Sequence, residues 1–283
     1  MTDLVVRRLL IDLNRPFARY WNGSDPFRTA LFNALSMSFP VGEQFFIDAV
    51  RAGLKTLPEA ERAALAAEVQ GFVGQEATHR RIHALFNQQL QQQGYVNHWA
   101  ERAARRIRKA ATLDPRIHVA ATAATEHFTA ILADWLLRHP QAFADAEPRL
   151  KTMWLWHASE ESEHRSTAFN LYQAMGGDHA WRIRLFRVIT IQFLSDLMRQ
   201  TASNLWHDGQ LLRWKTWRSA AGFLFGSEGM VRNTYQPWRR YFASDFHPDQ
   251  QDAQRSVQWL RDNAAAYSVL GQSEDKLQTE GST

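Results

Sequence analysis

Trp154-Leu-Trp-His-Ala-Ser-Glu-Glu-Ser-Glu-His164 is the stretch from which this chain is best read. Each residue of an α-helix advances about 100°, so His157, Glu161 and His164 fall within an arc of roughly 60°. Three side chains able to bind a metal therefore share one helical face. Glu161 and His164 form a Glu-x-x-His step, with His157 one turn earlier. A single step of this kind is common on exposed helices, so its meaning depends on whether the rest of the chain supplies partners.

Composition limits the alternatives. The chain has 283 residues, 45% hydrophobic and 22% charged, which suits a globular protein with a sizeable core. It has no cysteine, which excludes disulfides, zinc–thiolate sites and a cysteine nucleophile. Thirty-three basic residues against 29 acidic leave a net charge of +4, too little to indicate nucleic acid. Met1 to Phe17 is interrupted by Arg7, Arg8, Asp12 and Arg15, unlike a signal peptide, and no stretch is apolar enough to span a bilayer. A cytoplasmic protein is expected.

Outward from the opening stretch, the chain reads as helices. Ser24-Asp25-Pro26 is a helix start, and Pro40 kinks the following helix or begins a new one. Glu43 lies among Phe39, Val41, Phe45, Phe46 and Ile47, and the segment alone favours turning it to solvent, because an unpaired buried carboxylate is costly. A second helix begins at Pro58-Glu59 and stops at Gly94. It carries Glu76-Ala-Thr-His79, a second Glu-x-x-His step, with His83 one turn further on. Tyr95 to Ala111 reads as a connecting helix whose arginines and Lys109 form a solvated face. A third long helix opens at Asp114-Pro115, carries the small residues Val119 to Ala124 and then Glu126, and ends at His139-Pro140. The helix of the opening stretch starts near Glu147-Pro148 and runs to Gly176-Gly177.

Helix by helix the inventory is Glu43, then Glu76 with His79, then Glu126, then Glu161 with His164. This order matches the four-helix carboxylate pattern for two metals. Two divalent cations would neutralise four buried carboxylates, and oxygen-rich ligation with one imidazole per metal suits iron or manganese. Phe39-Pro-Val-Gly-Glu-Gln-Phe-Phe46, Gln75-Glu-Ala-Thr-His79, Thr125-Glu-His-Phe-Thr129, Trp156 to His164 and Phe246-His-Pro248 resemble the bacterial predicted metal-dependent hydrolases. The resemblance covers roughly Pro26 to Pro248 and implies a ferritin-like fold. The ligand pattern alone is similar to that of the arylamine N-oxygenases, in which an extra histidine precedes the fourth helix's glutamate by four residues, as His157 precedes Glu161.

The candidate ligands are therefore Glu43, Glu76, His79, Glu126, His157, Glu161 and His164, with a core histidine as the alternative for His157. Glu160 and Glu163, rotated by about 100° and 160° from Glu161, are read as exposed groups or hydrogen-bond partners of the ligands. His127 is expected to point away, and His83 to bond a ligand rather than a metal.

After Gly177 the chain turns aromatic and arginine-rich, and is read as helices covering the bundle. A substrate channel, a homodimer surface and a membrane-surface face are the alternatives. The expected organisation is one all-α domain over 1–270: a metal-binding four-helix bundle at 26–177, covering helices at 178–270 and a disordered tail from 271. The expected function is a dinuclear oxidase or oxygenase that uses molecular oxygen on a small apolar substrate. Its cofactor is two divalent ions, iron first, with manganese or a mixed Mn/Fe pair as alternatives. A metal-dependent hydrolase is the runner-up, and a non-catalytic metal-binding bundle the third reading.

Overall fold

In the computed structural model, which describes residues 4–270, most elements begin where a polar cap or a proline stands in the sequence. Asp25 accepts a hydrogen bond from the Arg28 backbone N–H at 3.0 Å, and α1 (Pro26–Lys55) follows. Pro58 precedes α2 (Glu59–Gln92), and Asn97 caps α3 (His98–Ala110). Asp114 caps α4 (Pro115–Arg138), and Pro148 opens α5 (Pro148–His164). Then come α6 (Thr167–Ala174), α7 (His179–His207) capped by Asp178, α8 (Trp214–Phe225), α9 (Met230–Arg240) and α10 (Gln254–Asp262). The architecture is mostly helical, as the sequence suggests.

Two local expectations need correction, and for Pro40 one of two alternatives is excluded. The segment ahead of the first helix contains β1 (Arg7–Leu9), which pairs antiparallel with β2 (Tyr267–Val269), within the stretch 178–270 expected to be covering helices. A strand that short has no local signal of its own and exists only because a partner from the other end of the described chain supplies its hydrogen bonds. The helix carrying the opening stretch does not reach Gly176. A turn at Arg165 and Ser166 separates α5 from α6. Finally, α1 runs through Pro40 without a fresh start. Pro40 has no N–H for the Ser36 carbonyl, and that carbonyl instead accepts from the Asn87 side-chain amide at 2.8 Å. The expected tail, 271–283, lies outside the described residues.

α1 packs along α2 and against α4, while α4 packs against α5 and α6. Trp156, Phe72, Phe86 and Leu150, all fully buried, fill the centre of this packing. The later helices cover it: α7 lies on α1, α3 and α4, α8 on α1, and α9 on α4. Their outward faces keep large apolar side chains exposed, Ile191, Trp206 and Trp214 among them. No helix among the described residues is long and apolar enough to cross a membrane.

The N-terminal segment reaches the site because α2 has two glycines beneath it. A Cβ on Gly71 would come within 2.6 Å of Leu4 Cβ, and one on Gly74 within 2.4 Å of Val6 Cγ2. The backbone is held there by Gln75, whose Nε2 donates to the Val5 carbonyl at 2.9 Å. This seats Arg7, the first residue of β1, against the end of α5.

Candidate metal centre

All seven candidate residues are buried in one cluster. Glu43 comes from α1, Glu76 and His79 from α2, Glu126 from α4, and His157, Glu161 and His164 from α5, each at most 4% exposed. Glu43 therefore faces inward, against the expectation drawn from its segment alone. Its apolar neighbours along the helix line the same interior, and the cost of burying its carboxylate falls on the cluster as a whole.

The carboxylates lack ordinary partners. Both oxygens of Glu43, Glu76 and Glu126 make no hydrogen bond, and neither does Oε2 of Glu161. Burial, compounded by Glu76, pushes the Glu43 carboxyl well above its usual range, and burial likewise raises Glu76. Glu126 is pushed up to about 8 by burial and by the neighbouring Glu161. Glu161 goes the other way: although burial opposes it, the neighbouring His164 and His79 hold its carboxyl well below the usual range. A cluster with this much buried, unpartnered oxygen needs protons or cations, and cation binding displaces the protons.

The histidines are aimed by partners outside the cluster. His79 donates from Nε2 to Glu160 Oε2 at 2.9 Å, which leaves Nδ1 unbonded and 3.4 Å from Glu161 Oε1. His164 bonds Gln75 Oε1 through Nδ1 at 2.9 Å. The Gln75 amide has one orientation, because its Nε2 donates to Val5 O and Glu163 Oε2, both at 2.9 Å. So His164 Nδ1 carries a proton, and its Nε2 lies 3.1 Å from Glu76 and 3.2 Å from Glu126 without hydrogen-bond alignment to either, while Glu161 and Glu126, with burial opposing them, push the imidazole well above its ordinary pKa.

A longer chain of bonds orients His157. Asn87 donates to the Ser36 carbonyl, so its Oδ1 must accept from the Ser36 hydroxyl, at 2.9 Å. That hydroxyl has spent its only hydrogen and must accept from His83 Nδ1, at 2.8 Å. His83 Nε2 then accepts from His157 Nδ1 at 2.6 Å. Both rings are neutral: burial lowers His157 to about 4, helped by His79, and lowers His83 well below its ordinary value, helped by His157. His157 Nε2 is thereby left with a lone pair 2.8 Å from Glu161 Oε1 and 3.9 Å from Glu43 Oε1. Two lone pairs at that distance need a cation or a proton between them. Pro40 contributes indirectly, since it frees the Ser36 carbonyl that anchors this chain.

Four overlapping groups of side chains bring one donor atom each to within 4.8 Å of one another. They are Glu43, Glu76 and His79; Glu76, Glu161 and His164; His79, His157 and Glu161; and Glu43, His83 and His157. Glu43, Glu76 and Glu161 each belong to two of them, the placement needed by carboxylates shared between adjacent ions. The donor set, oxygen-rich with imidazole, suits divalent first-row metals.

The sequence reading missed one residue and left another unresolved. Arg7, 7% exposed, reaches Glu160 at 3.1 Å and Glu163 at 2.7 Å, and the two carboxylates, with burial opposing them, push its pKa up. Glu160 is wholly buried rather than exposed, so of the two earlier readings only the hydrogen-bond partner survives. Together Glu160, Arg7, Glu163 and Gln75 form a closed path from His79 to His164. His127 does point away, with Nε2 bonded to the Pro237 carbonyl. The basic face on α3 is only partly solvated, because Arg102 and Arg106 both bind the buried Asp196.

The family model described as predicted metal-dependent hydrolase matches residues 5–252. The chain belongs to that family. The match runs from the N-terminal strand through the whole cluster to just before α10, so Arg7 lies within the family region together with the α5 glutamates it bridges. Comparison with curated proteins and with solved structures returns no match.

Proposed function

We propose that the chain is a dinuclear-metal enzyme acting on a small apolar molecule, built on a ferritin-like four-helix bundle of α1, α2, α4 and the α5–α6 pair. Glu43, Glu76 and His79 would hold one cation, and Glu126, Glu161 and His164 the other. Glu76 and Glu161 would be shared, with His157 as the additional nitrogen beside Glu43 and Glu161. The observation that carries the reading is the convergence of carboxylate oxygens and imidazole nitrogens without hydrogen-bond partners on one buried point. Bound there, two divalent cations would supply a Lewis acid and a low-pKa water for hydrolysis or, as iron, the electrons to activate dioxygen.

The family description favours hydrolysis, the runner-up of the sequence reading, and we place it first. One observation favours oxidation as the second reading. A small pocket of about 50 Å³ reaches His157 and Glu161, and apart from these two and the indole N–H groups of Trp135 and Trp154 its only polar side chain is Thr129. Thr129 donates to the Glu126 carbonyl at 3.0 Å. Among the described residues lining that pocket, no side chain outside the ligand set offers a leaving group an acidic proton, which hydrolysis commonly uses and oxidation does not need.

The deciding experiment compares zinc-, manganese- and iron-loaded protein on alkyl esters and phosphoesters, and also mixes the anaerobic ferrous protein with oxygenated buffer. Hydrolysis predicts metal-dependent cleavage lost in Glu76→Ala, with oxygen uptake no faster than for free ferrous iron. Rapid uptake abolished by Glu76→Ala, with no cleavage, selects oxidation. Absence of both, with under one equivalent of metal after reconstitution, removes the proposal.

His157 has its own test. His157→Ala should leave two ions bound at saturating metal but change the visible spectrum of one ion in the cobalt-substituted protein. A lowered melting temperature with an unchanged spectrum would return His157 to a core role and the ligand set to six residues.

A further inference from the structure

Beyond the small pocket lies a larger one of about 480 Å³ between α1, α3, α4 and α7, and Phe39, Thr129 and Phe193 line both. Its volume is in the range of small-molecule sites. Its walls come from single helical faces: Ala103, Ile107 and Ala110 on α3, and Leu185, Val188 and Ile189 on α7. On α4 the lining runs from Ile117 to Thr129, a rise of about 18 Å, so the space is elongated.

Charge is confined to its ends. Glu43, 1% exposed, marks the inner end at the metal cluster. Arg106, partly exposed, and Lys109, exposed, mark the outer end. Arg106 shares the single carboxylate of Asp196 with Arg102, so two guanidinium groups and an ammonium face one acid. The rim is therefore net positive, above a mostly apolar interior in which the side chains of Ser38, His118, Thr125 and Thr129 already bond backbone carbonyls and Gln192 is a further polar group.

We propose that this cavity binds a molecule with an elongated alkyl chain and one anionic head, the chain directed toward the metal cluster and the head at Lys109 and Arg106. The orientation of the chain as a substrate rests on the proposed function. The binding itself does not require it. A cationic head would meet the basic rim unfavourably, and a neutral head would gain nothing from it. Each methylene moved from water into the cavity should tighten binding about fourfold until the space is filled.

The test is calorimetric titration of the full chain with hexanoate, octanoate, decanoate, decyl phosphate, 1-decanol and decylamine, before and after metal removal with a chelator. Affinity should rise along the carboxylate series, and decanoate or decyl phosphate should bind more tightly than decanol, with decylamine weakest. Whichever acid binds better identifies the head group as carboxylate or phosphate. Lys109→Glu, an exposed substitution, should weaken the acids about fivefold and leave decanol unchanged. Ala121→Phe, which projects into the middle of the lining on α4, should abolish binding of all the ligands. Equal affinity for acid, alcohol and amine would overturn the proposal, as would unchanged binding in a folded Ala121→Phe variant. Binding that persists in chelated protein, alongside failure to reconstitute two metals, would sink the proposed function and leave this inference standing.

Discussion

Glu161→Ala is expected to leave the chain with less than one equivalent of metal after reconstitution, against two for the native protein. Glu161 Oε1 lies 2.8 Å from His157, 3.4 Å from His79 and 3.6 Å from His164, so its carboxylate touches every candidate nitrogen donor. It also belongs to two of the donor groups, so its loss strips an oxygen from both positions. Glu160→Ala is the informative comparison. Glu160 bonds His79 on the ring edge away from the cluster, and losing such a partner typically costs 10–100-fold in metal affinity rather than the site itself. Glu160→Ala should therefore still bind two ions when metal is saturating, with a raised dissociation constant, whereas Glu161→Ala should not. Elemental analysis at low and saturating metal separates the two. Equal losses at saturation would mean that the face of α5 assigned to the metals is wrong.

Arg7→Met should lower stability substantially, although Arg7 bonds Glu160 and Glu163 rather than a candidate ligand. The substitution keeps an unbranched apolar stem but leaves Glu160, wholly buried, and Glu163, 20% exposed, as adjacent carboxylates without their cation. Removing one partner of a buried ion pair costs about 3–5 kcal/mol, and the partial exposure of Glu163 places the expected loss near the lower end, about 3 kcal/mol. Because Glu160 and Glu163 orient His79 and, through Gln75, His164, metal affinity should fall with stability. Adding Glu160→Gln removes the uncompensated charge while keeping an acceptor for His79, so the double variant should recover much of the lost stability. Urea unfolding of the single and double variants at fixed metal concentration measures this coupling. Independent, additive effects would show that Arg7 does not act through Glu160.

Much of the site was legible because helix geometry is local. The cap at Asp25, Asp114 before its proline, and the prolines at 26, 115 and 148 mark helix starts without reference to anything distant. The 3.6-residue period likewise puts His157, Glu161 and His164 on one face, and the same rule pairs Glu76 with His79. Doubling of the Glu-x-x-His step then pointed to a shared metal centre, and the family match agrees with a metal-dependent protein. The reaction was not legible, because the same oxygen-rich donor set serves hydrolysis and oxidation alike.

What periodicity could not reveal is which neighbour faces each helix. Glu43 looked exposed because its own segment contains nothing to compensate its charge, and its burial makes sense only among groups brought by α2, α4 and α5. Glu160 was placed off the arc of His157, Glu161 and His164, and its position is interior rather than surface. Arg7 meets it across 153 residues of sequence, a pairing created by the close approach of the N-terminal strand to Gly71 and Gly74. The proton order from Asn87 through Ser36 and His83 to His157 is equally invisible in sequence, since it joins α1, α2 and α5. Residue type and helical phase, which are local, were enough to nominate the donors. Their burial, their tautomers and the charges that balance them depend on contacts between distant elements, and only the tertiary structure decided those.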